Sequence, residues 1–164
     1  MLSRPEFEKQ LLSHTSALKS YALNLCWNAD LADDLVQETM LRALRACAQF
    51  DGDNMLAWLF TILKFYLFSV YRKNKRLVFD EAVFFEATKN LTAPDDPFIQ
   101  LYAKQTFKQV DELNPISRDA LYLHVVHGLT YKEAGAVCNE ALGTMKSRVT
   151  RARWKLGIGT GKGC

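Results

Sequence analysis

Three groups of side chains in this sequence are of types that do chemistry. Carboxylates collect at Asp30, Asp33, Asp34 and Glu38, and again at Asp80, Glu81, Glu86, Asp95 and Asp96. Cations collect at Arg72, Lys73, Lys75 and Arg76, and at Lys146, Arg148, Arg151, Arg153 and Lys155. His124 and His127 stand one helical turn apart. Paired carboxylates can serve a metal ion or an acid–base pair when a histidine or a second acidic helix completes the set. No histidine lies near Asp34 and Glu38 in the sequence, and no second acidic helix supplies ligands, so catalysis is not expected. The two histidines lack an evident third ligand and read as structural. Cys26, Cys47, Cys138 and Cys164 form no CxxC pair and no zinc spacing. The first three read as small buried residues in a reducing compartment. No metal, nucleotide or other cofactor is expected. What remains is ionic recognition. The net charge of +3 is mild, but its segregation suggests one anionic partner and one of another kind.

The elements that would position these groups are helices. Hydrophobic residues make up 49% and charged residues 24% of the 164 residues, the composition of a globular chain. Sustained period-two alternation is missing. Ser3 and Glu6 make a capping box with Pro5 in the first turn, opening a helix that carries Phe7, Leu11, Leu18, Tyr21 and Leu25. Asn28 or Asp30 caps the next, with Leu31, Leu35, Met40, Leu41 and Leu44 at helical spacing. The turn "DGDN" precedes a long apolar helix that ends in "RKNKR". The helical pattern then dissolves in an acidic stretch with Val83, Phe84 and Phe85, before helices resume at Phe98. Asn114-Pro115 restarts a helix that Gly128 ends, and Thr130 with Glu133 forms a second capping box. Asn139 suits a left-handed turn residue. The expected fold class is all-α: two small helical domains, 1–78 and 98–158, joined by a flexible linker, 79–97, with a disordered tail, 159–164. The start lacks the apolar core of a signal peptide. The apolar run Met55 to Tyr71 is broken by Lys64 and falls short of about 20 uninterrupted apolar residues. A cytoplasmic protein without membrane contact is expected.

The last helix, "GTMKSRVTRARWKL", is the most informative segment. At 100° per residue, Met145, Val149, Ala152 and Leu156 fall in one narrow stripe, which reads as core. The opposite face presents Ser147, Thr150, Arg151 and Trp154, with Lys146 on its flank. Arg148 and Arg153 lie nearer the core edge, where they can reach sideways to phosphates. A short capped helix, a tight turn and a polar-basic second helix make a helix-turn-helix, whose second helix enters the major groove. Arg or Lys pairs there with guanine edges, and Ser or Thr with either base type. If about five cations neutralise phosphates, log K falls with log salt at a slope of roughly −4 to −5. A solvated charged face is the plain competitor. A membrane-surface helix fits less well, because the apolar stripe is narrow and lacks large residues. Ala141, at the expected N-cap, is a poor capping residue.

Two other surfaces stay open at this level. "ADDLVQETMLRAL" puts Asp34, Gln37, Glu38, Leu41 and Arg42 on one side of a helix. That side is either a docking face anchored by Leu41 or a plain solvated face. The helix ending "YRKNKR" combines Phe65, Tyr66, Phe68 and Tyr71 with Arg72, Lys73, Lys75 and Arg76. Cations bind phosphates and aromatic faces stack unpaired bases, but most of these aromatics read as core. The cations would also suit the helix dipole. The loop before this helix can hold a base turned out of the stack.

Three segments in order, "ADDLVQETMLRALR", "AWLFTIL" and "LGTMKSRVTRAR", with an acidic stretch between the second and third, resemble the extracytoplasmic-function (ECF) sigma factors of the sigma-70 family. The resemblance covers nearly the whole chain and is strongest to the general-stress subgroup of alphaproteobacteria. It implies a promoter-specificity subunit without chemistry of its own, whose partners are core RNA polymerase, promoter DNA and an anti-sigma protein. It implies polymerase docking through Asp34, Gln37, Glu38, Leu41 and Arg42. The −10 element falls to Asp51, Gly52, Asp53, Asn54, the following helix with Phe65, and Arg72 and Lys73. The −35 element falls to Lys146, Ser147, Thr150 and Arg151, with Thr144, Arg148 and Arg153 on the backbone. One departure stands out. After "AWLFTIL" the subgroup continues Arg-Asn-Thr, whereas this chain has Lys64, Phe65 and Tyr66. Phe65 cannot make the hydrogen bond of the usual Asn, and Val70 replaces a charged residue. These changes also fit an alternative, a sigma-like decoy that binds an anti-sigma protein without productive promoter reading. A plain helix-turn-helix repressor would leave the "DDLVQET" helix unexplained.

Overall fold

A computed structural model describes residues 3–73, 109–110 and 112–157. The expected linker 79–97, the helix start at Phe98, the cations Lys75 and Arg76, and the tail 159–164 lie outside the described residues. The chain divides into two compact units, split between Thr88 and Lys89. Every regular element among the described residues is helical.

The first unit opens with α1, Arg4–Ser13. The Glu6 carboxylate accepts from the Ser3 backbone N–H at 2.9 Å and from its hydroxyl at 2.6 Å, so the expected capping box is in place. The single helix read from Ser3 to Leu25 is in fact two. It breaks at His14, and α2 runs Thr15–Cys26. Around the break, the Ser13 and Thr15 hydroxyls donate to the carbonyls of Gln10 and Leu12, each at 2.7 Å. Such local side-chain bonds compete with helix continuation. Trp27 ends α2 in the left-handed region, at φ 54°. Its indole N–H donates to the Asn24 carbonyl at 3.0 Å, anchoring a bulky residue where glycine is usual. Asn28 then caps α3, Ala29–Arg45, accepting from the Leu31 N–H at 2.8 Å.

A short 3₁₀ turn, Cys47–Gln49, and the loop 51–54 lead into α4, Met55–Lys73. Asn54 accepts from the Ala57 N–H at 3.2 Å. Helix α4 is long and apolar enough to cross a membrane by length and composition. It packs instead into the bundle through Met55, Leu59, Phe60, Leu63 and Leu67, spaced three to four apart and all buried. Tyr21 of α2 meets Phe60 with ring centroids 4.4 Å apart. The α3 contribution to this core is Ala32, Leu35, Val36, Thr39 and Ala43. Of the α3 residues read from the sequence as the apolar side, only Leu35 is fully buried, and Leu41 is 49% exposed. Small residues let the helices approach closely, so the seam runs along the alanines rather than the larger Leu31, Met40 and Leu44.

In the second unit, α5 spans Pro115–Leu121, with Asn114 accepting from the Ser117 N–H at 2.8 Å. The helix does not run on regularly to Gly128. It loosens into a π-helical turn, Tyr122–Val126, closed by His127 N–H donating to the Tyr122 carbonyl at 3.2 Å. Gly128 reverses the chain at φ 68°. His124 Nδ1 sits 2.7 Å from the Leu129 carbonyl, and its ring stacks on Tyr131 at 4.1 Å. The His127 ring meets Tyr122 edge-on at 5.2 Å. Of the cysteines, Cys26 is buried, but Cys47 and Cys138 are only partly so, which corrects their reading as buried residues.

Burial depresses the His127 imidazole from its ordinary 6.5 to about 4. The unfolded chain therefore takes a proton near pH 6.5 that the folded unit resists until about pH 4. Stability is then unaffected above pH 6.5 and declines as pH falls from there toward 4. The expected result is a falling denaturant midpoint for the second unit across that window, with a shallower fall in His127→Gln. Equal slopes in both proteins would contradict it.

Candidate nucleic-acid interface

The second unit ends in two helices joined by a tight turn. Helix α6, Tyr131–Cys138, starts at a full capping box, in which Glu133 accepts from the Thr130 N–H at 2.7 Å and the Thr130 hydroxyl accepts from the Glu133 N–H at 3.2 Å. Asn139 turns the chain at φ 55°, as its type allows. Helix α7 is Leu142–Lys155. Met145, Val149, Ala152 and Leu156 are all buried, as the helical wheel requires. The turn is held by Gly135, whose carbonyl accepts from the Glu140 N–H at 2.8 Å. A Cβ on Gly135 would lie 2.7 Å from the Glu140 carbonyl oxygen, so only glycine permits this approach.

The outward face of α7 carries Lys146, Ser147, Thr150, Arg151 and Trp154, all exposed. Thr144, Arg148 and Arg153 are half-buried at its margins. Thr144, Ser147, Arg148 and Arg151 line one open concavity together with Ala141 and Gly143. Seven residues expected to read DNA thus lie on one helix, four of them around one depression. Arg148 differs from the expectation of a cation free to reach sideways. Its Nη1 is 2.8 Å from Glu140 Oε1. Lys155 donates to the Glu112 carbonyl at 2.9 Å and so braces the end of α7.

Ala141 caps α7 in extended conformation with no side-chain hydrogen bond. Ala141→Ser should supply an acceptor to the first turn and stabilise the second unit by about 1 kcal/mol. A thermal midpoint unchanged or lowered in the variant would refute this.

In the first unit, the residues assigned to the −10 element do not form one cluster. Asp51, Gly52, Asp53 and Asn54 are exposed in the loop before α4, and Gly52 has φ 91°. Arg72 and Lys73 are exposed at the other end of α4, about 27 Å of helix away. Phe65 lies between. It is 65% exposed, and Phe68 is 51% exposed. Tyr66 and Tyr71 are half-buried. The expectation that most of these aromatics are core is therefore wrong. Leu59, Phe60, Leu63 and Leu67 already fill the buried face. Phe65, Phe68, Tyr71 and Arg72 line a shallow depression instead.

The loop itself is anchored by aromatics that sequence reasoning missed. Phe50 packs against Trp58 at 5.3 Å, and Phe7 meets both rings edge-on at 6.1 and 6.2 Å. The available signal was a pair of aromatics flanking a polar, glycine-containing turn.

The third surface lies on α3. Asp34, Gln37, Leu41 and Arg42 are exposed and Glu38 is half-exposed, all on one side. Arg42 is held in place: its Nε lies 2.7 Å from Glu38 Oε1, and its guanidinium sits 4.5 Å from the centroid of the Tyr66 ring of α4. Lys19 of α2 pairs with Asp33 at 2.8 Å on the neighbouring rim. Side chains of α3 are thus tied to both flanking helices, α2 through Asp33 and α4 through Arg42.

A helical bundle with a charged edge on α3, together with a unit that ends in a helix-turn-helix with a basic outer face, defines a DNA-binding protein of transcription. Known proteins narrow the class. The sigma-70 region 2 family model matches residues 11–77, and the sigma-70 region 4 model matches 107–156. The chain is 42% identical to the ECF RNA polymerase sigma factor EcfG of Rhodopseudomonas palustris over 147 residues, covering 89% of this chain and 80% of that protein. It is 33% identical to the ECF RNA polymerase sigma-E factor of Escherichia coli, over 73% of this chain and 69% of that one. Its fold matches the sigma factor RpoE of Bartonella quintana, solved in complex with the anti-sigma factor NepR. That match has a TM-score of 0.70 and 32% identity, covering 92% and 93% of the two chains. The chain belongs to the ECF sigma-factor family, whose members direct the initiation of transcription by RNA polymerase.

Proposed function

We propose that this chain is a stress-response sigma factor that docks on core RNA polymerase through α3 and reads promoter DNA with two separate surfaces. The functional domains would be 1–78 and 98–158, joined by 79–97 and followed by the tail 159–164. Lys146, Ser147, Thr150 and Arg151 take the −35 bases, and Thr144, Arg148 and Arg153 take the adjacent backbone. The −10 element runs along α4. The loop Asp51, Gly52, Asp53 and Asn54 receives a base turned out of the stack, Phe65 offers a face to an unpaired base, and Arg72 and Lys73 neutralise phosphates. Asp34, Gln37, Glu38, Leu41 and Arg42 meet the polymerase clamp. The protein acts in the cytoplasm, without a cofactor and without catalysis of its own.

The observation that carries this reading is the outward face of α7, where Lys146, Ser147, Thr150 and Arg151 stand exposed beside Trp154 while the opposite stripe is buried. An anti-sigma protein is a further proposed partner, because the Bartonella relative was solved with one. The decoy reading draws on Phe65 in the place of the subgroup's Asn. The exposed cations of both units favour promoter reading over it.

The docking assignment is tested by competition. Labelled chain bound to core RNA polymerase is displaced by unlabelled wild type or by Leu41→Asp. Leu41 is about half-exposed, so the variant should fold normally. It should compete at least tenfold less well, as expected for a charge placed at a desolvated anchor. Equal competition would remove α3 from the interface.

A further inference from the structure

The pairing of Arg148 with Glu140 adds something to the −35 reading. An acidic residue in the turn of a helix-turn-helix sits close to where the DNA backbone would run, and a carboxylate there repels phosphate. Its place is closely determined. The Glu140 backbone is tied to Gly135 by the 2.8 Å hydrogen bond, at an approach that a Cβ would block. Its carboxylate then meets Arg148 Nη1 at 2.8 Å, with only 31% of the Glu140 side chain and 22% of the Arg148 side chain exposed. Arg148 nevertheless lines the concavity with Thr144, Ser147 and Arg151. A guanidinium carries five donors in a rigid fork. Engaging one edge with a carboxylate leaves the others aimed in a fixed direction.

We infer that Glu140 is a specificity-determining residue of the −35 interface, which cancels the charge of Arg148 toward the phosphate backbone while fixing the direction of its remaining donors. The inference rests on the −35 reading of α7. A free cation on a flexible stem takes any phosphate and so strengthens binding to every sequence. A held, neutralised one adds little to counterion release and rewards only DNA that presents an acceptor in the right place. Lys146 and Arg151, both exposed, still meet the bases directly, and Arg148 stays on the backbone side. Arg148 adds to their discrimination by rewarding only DNA whose backbone follows the path its held donors require.

The test uses holoenzyme assembled from core RNA polymerase and the full chain. One duplex is selected by wild-type holoenzyme from a pool randomised at −35, and a random-sequence duplex of equal length serves as reference. Affinities are measured across a potassium chloride series. Glu140→Gln is expected to bind the random duplex about three- to fivefold tighter, with a salt slope steeper by about 0.9. The ratio of selected to random binding should fall by a similar factor. In an Arg148→Ala background the same substitution should leave the ratio unchanged, since no guanidinium remains to be held. If Glu140→Gln weakens both duplexes equally at constant slope, Glu140 is only a brace and the inference is wrong. If ratio and slope stay at wild-type values while Lys146→Ala still weakens binding, the inference fails and the −35 reading stands. If Lys146→Ala also has no effect, both fail.

Discussion

Phe65→Ala is expected to leave the first unit folded and to weaken the opened-promoter complex by roughly 5- to 150-fold, the equivalent of about 1–3 kcal/mol for one lost base stack. The side chain is 65% exposed, so its removal opens no cavity. A single exposed aromatic is ordinary, but exposed apolar residues gathered in one patch mark an interaction surface. Here Phe68, Tyr71 and Arg72 share its depression, which gives a base both a flat apolar contact and a nearby cation. Binding of a single-stranded −10 oligonucleotide to holoenzyme measures the effect directly. Phe65→Trp should retain it, because any aromatic face stacks. Phe65→Asn should bind with a changed base preference, because hydrogen bonding would replace stacking. Wild-type affinity in Phe65→Ala would remove this stripe from the DNA path.

Gly135→Ala should cost the second unit about 1–3 kcal/mol, the usual range for forcing an atom into a packed site. The added Cβ meets the Glu140 carbonyl oxygen at 2.7 Å and Met145 Cγ at 3.4 Å. The second contact is a flexible side chain and can yield. The first is backbone and fixes the turn, so relief requires α6 and α7 to separate. Binding to −35 DNA should therefore fall along with stability, while polymerase docking through the first unit is preserved. Separate denaturation of the two units would reveal the asymmetry. A variant with normal stability would mean that the turn is softer than its geometry implies.

The parts of the fold governed by local rules were legible in the sequence. Both capping boxes, the restart at Asn114-Pro115, the left-handed Asn139 and the cap at Asn28, which the sequence left open against Asp30, follow from single side chains satisfying nearby backbone groups. The buried stripe of α7 follows from periodicity alone. The misreadings arose where long-range packing decides. Helix α4 is apolar on more than one face, so periodicity could not tell that Leu59 and Leu63 are buried while Phe65 and Phe68 are not. The α3 seam runs through Ala32, Val36 and Ala43 because close helix approach favours small residues there. The break at His14 depends on hydroxyls at Ser13 and Thr15 that are equally at home in a continuous helix. Likewise, the charge count of α7 could not show that Arg148 is paired with Glu140 across the turn. Ion pairs between a turn and a helix leave no periodic signal.

Run-off transcription with purified chain, core RNA polymerase and a template library randomised at −35 and −10 tests the central claim most directly. Discrete transcripts that share sequence at both elements, and that are lost in Arg151→Ala, are the predicted result. Binding to polymerase or to an anti-sigma protein with no transcript from any template would contradict it and make the chain a decoy.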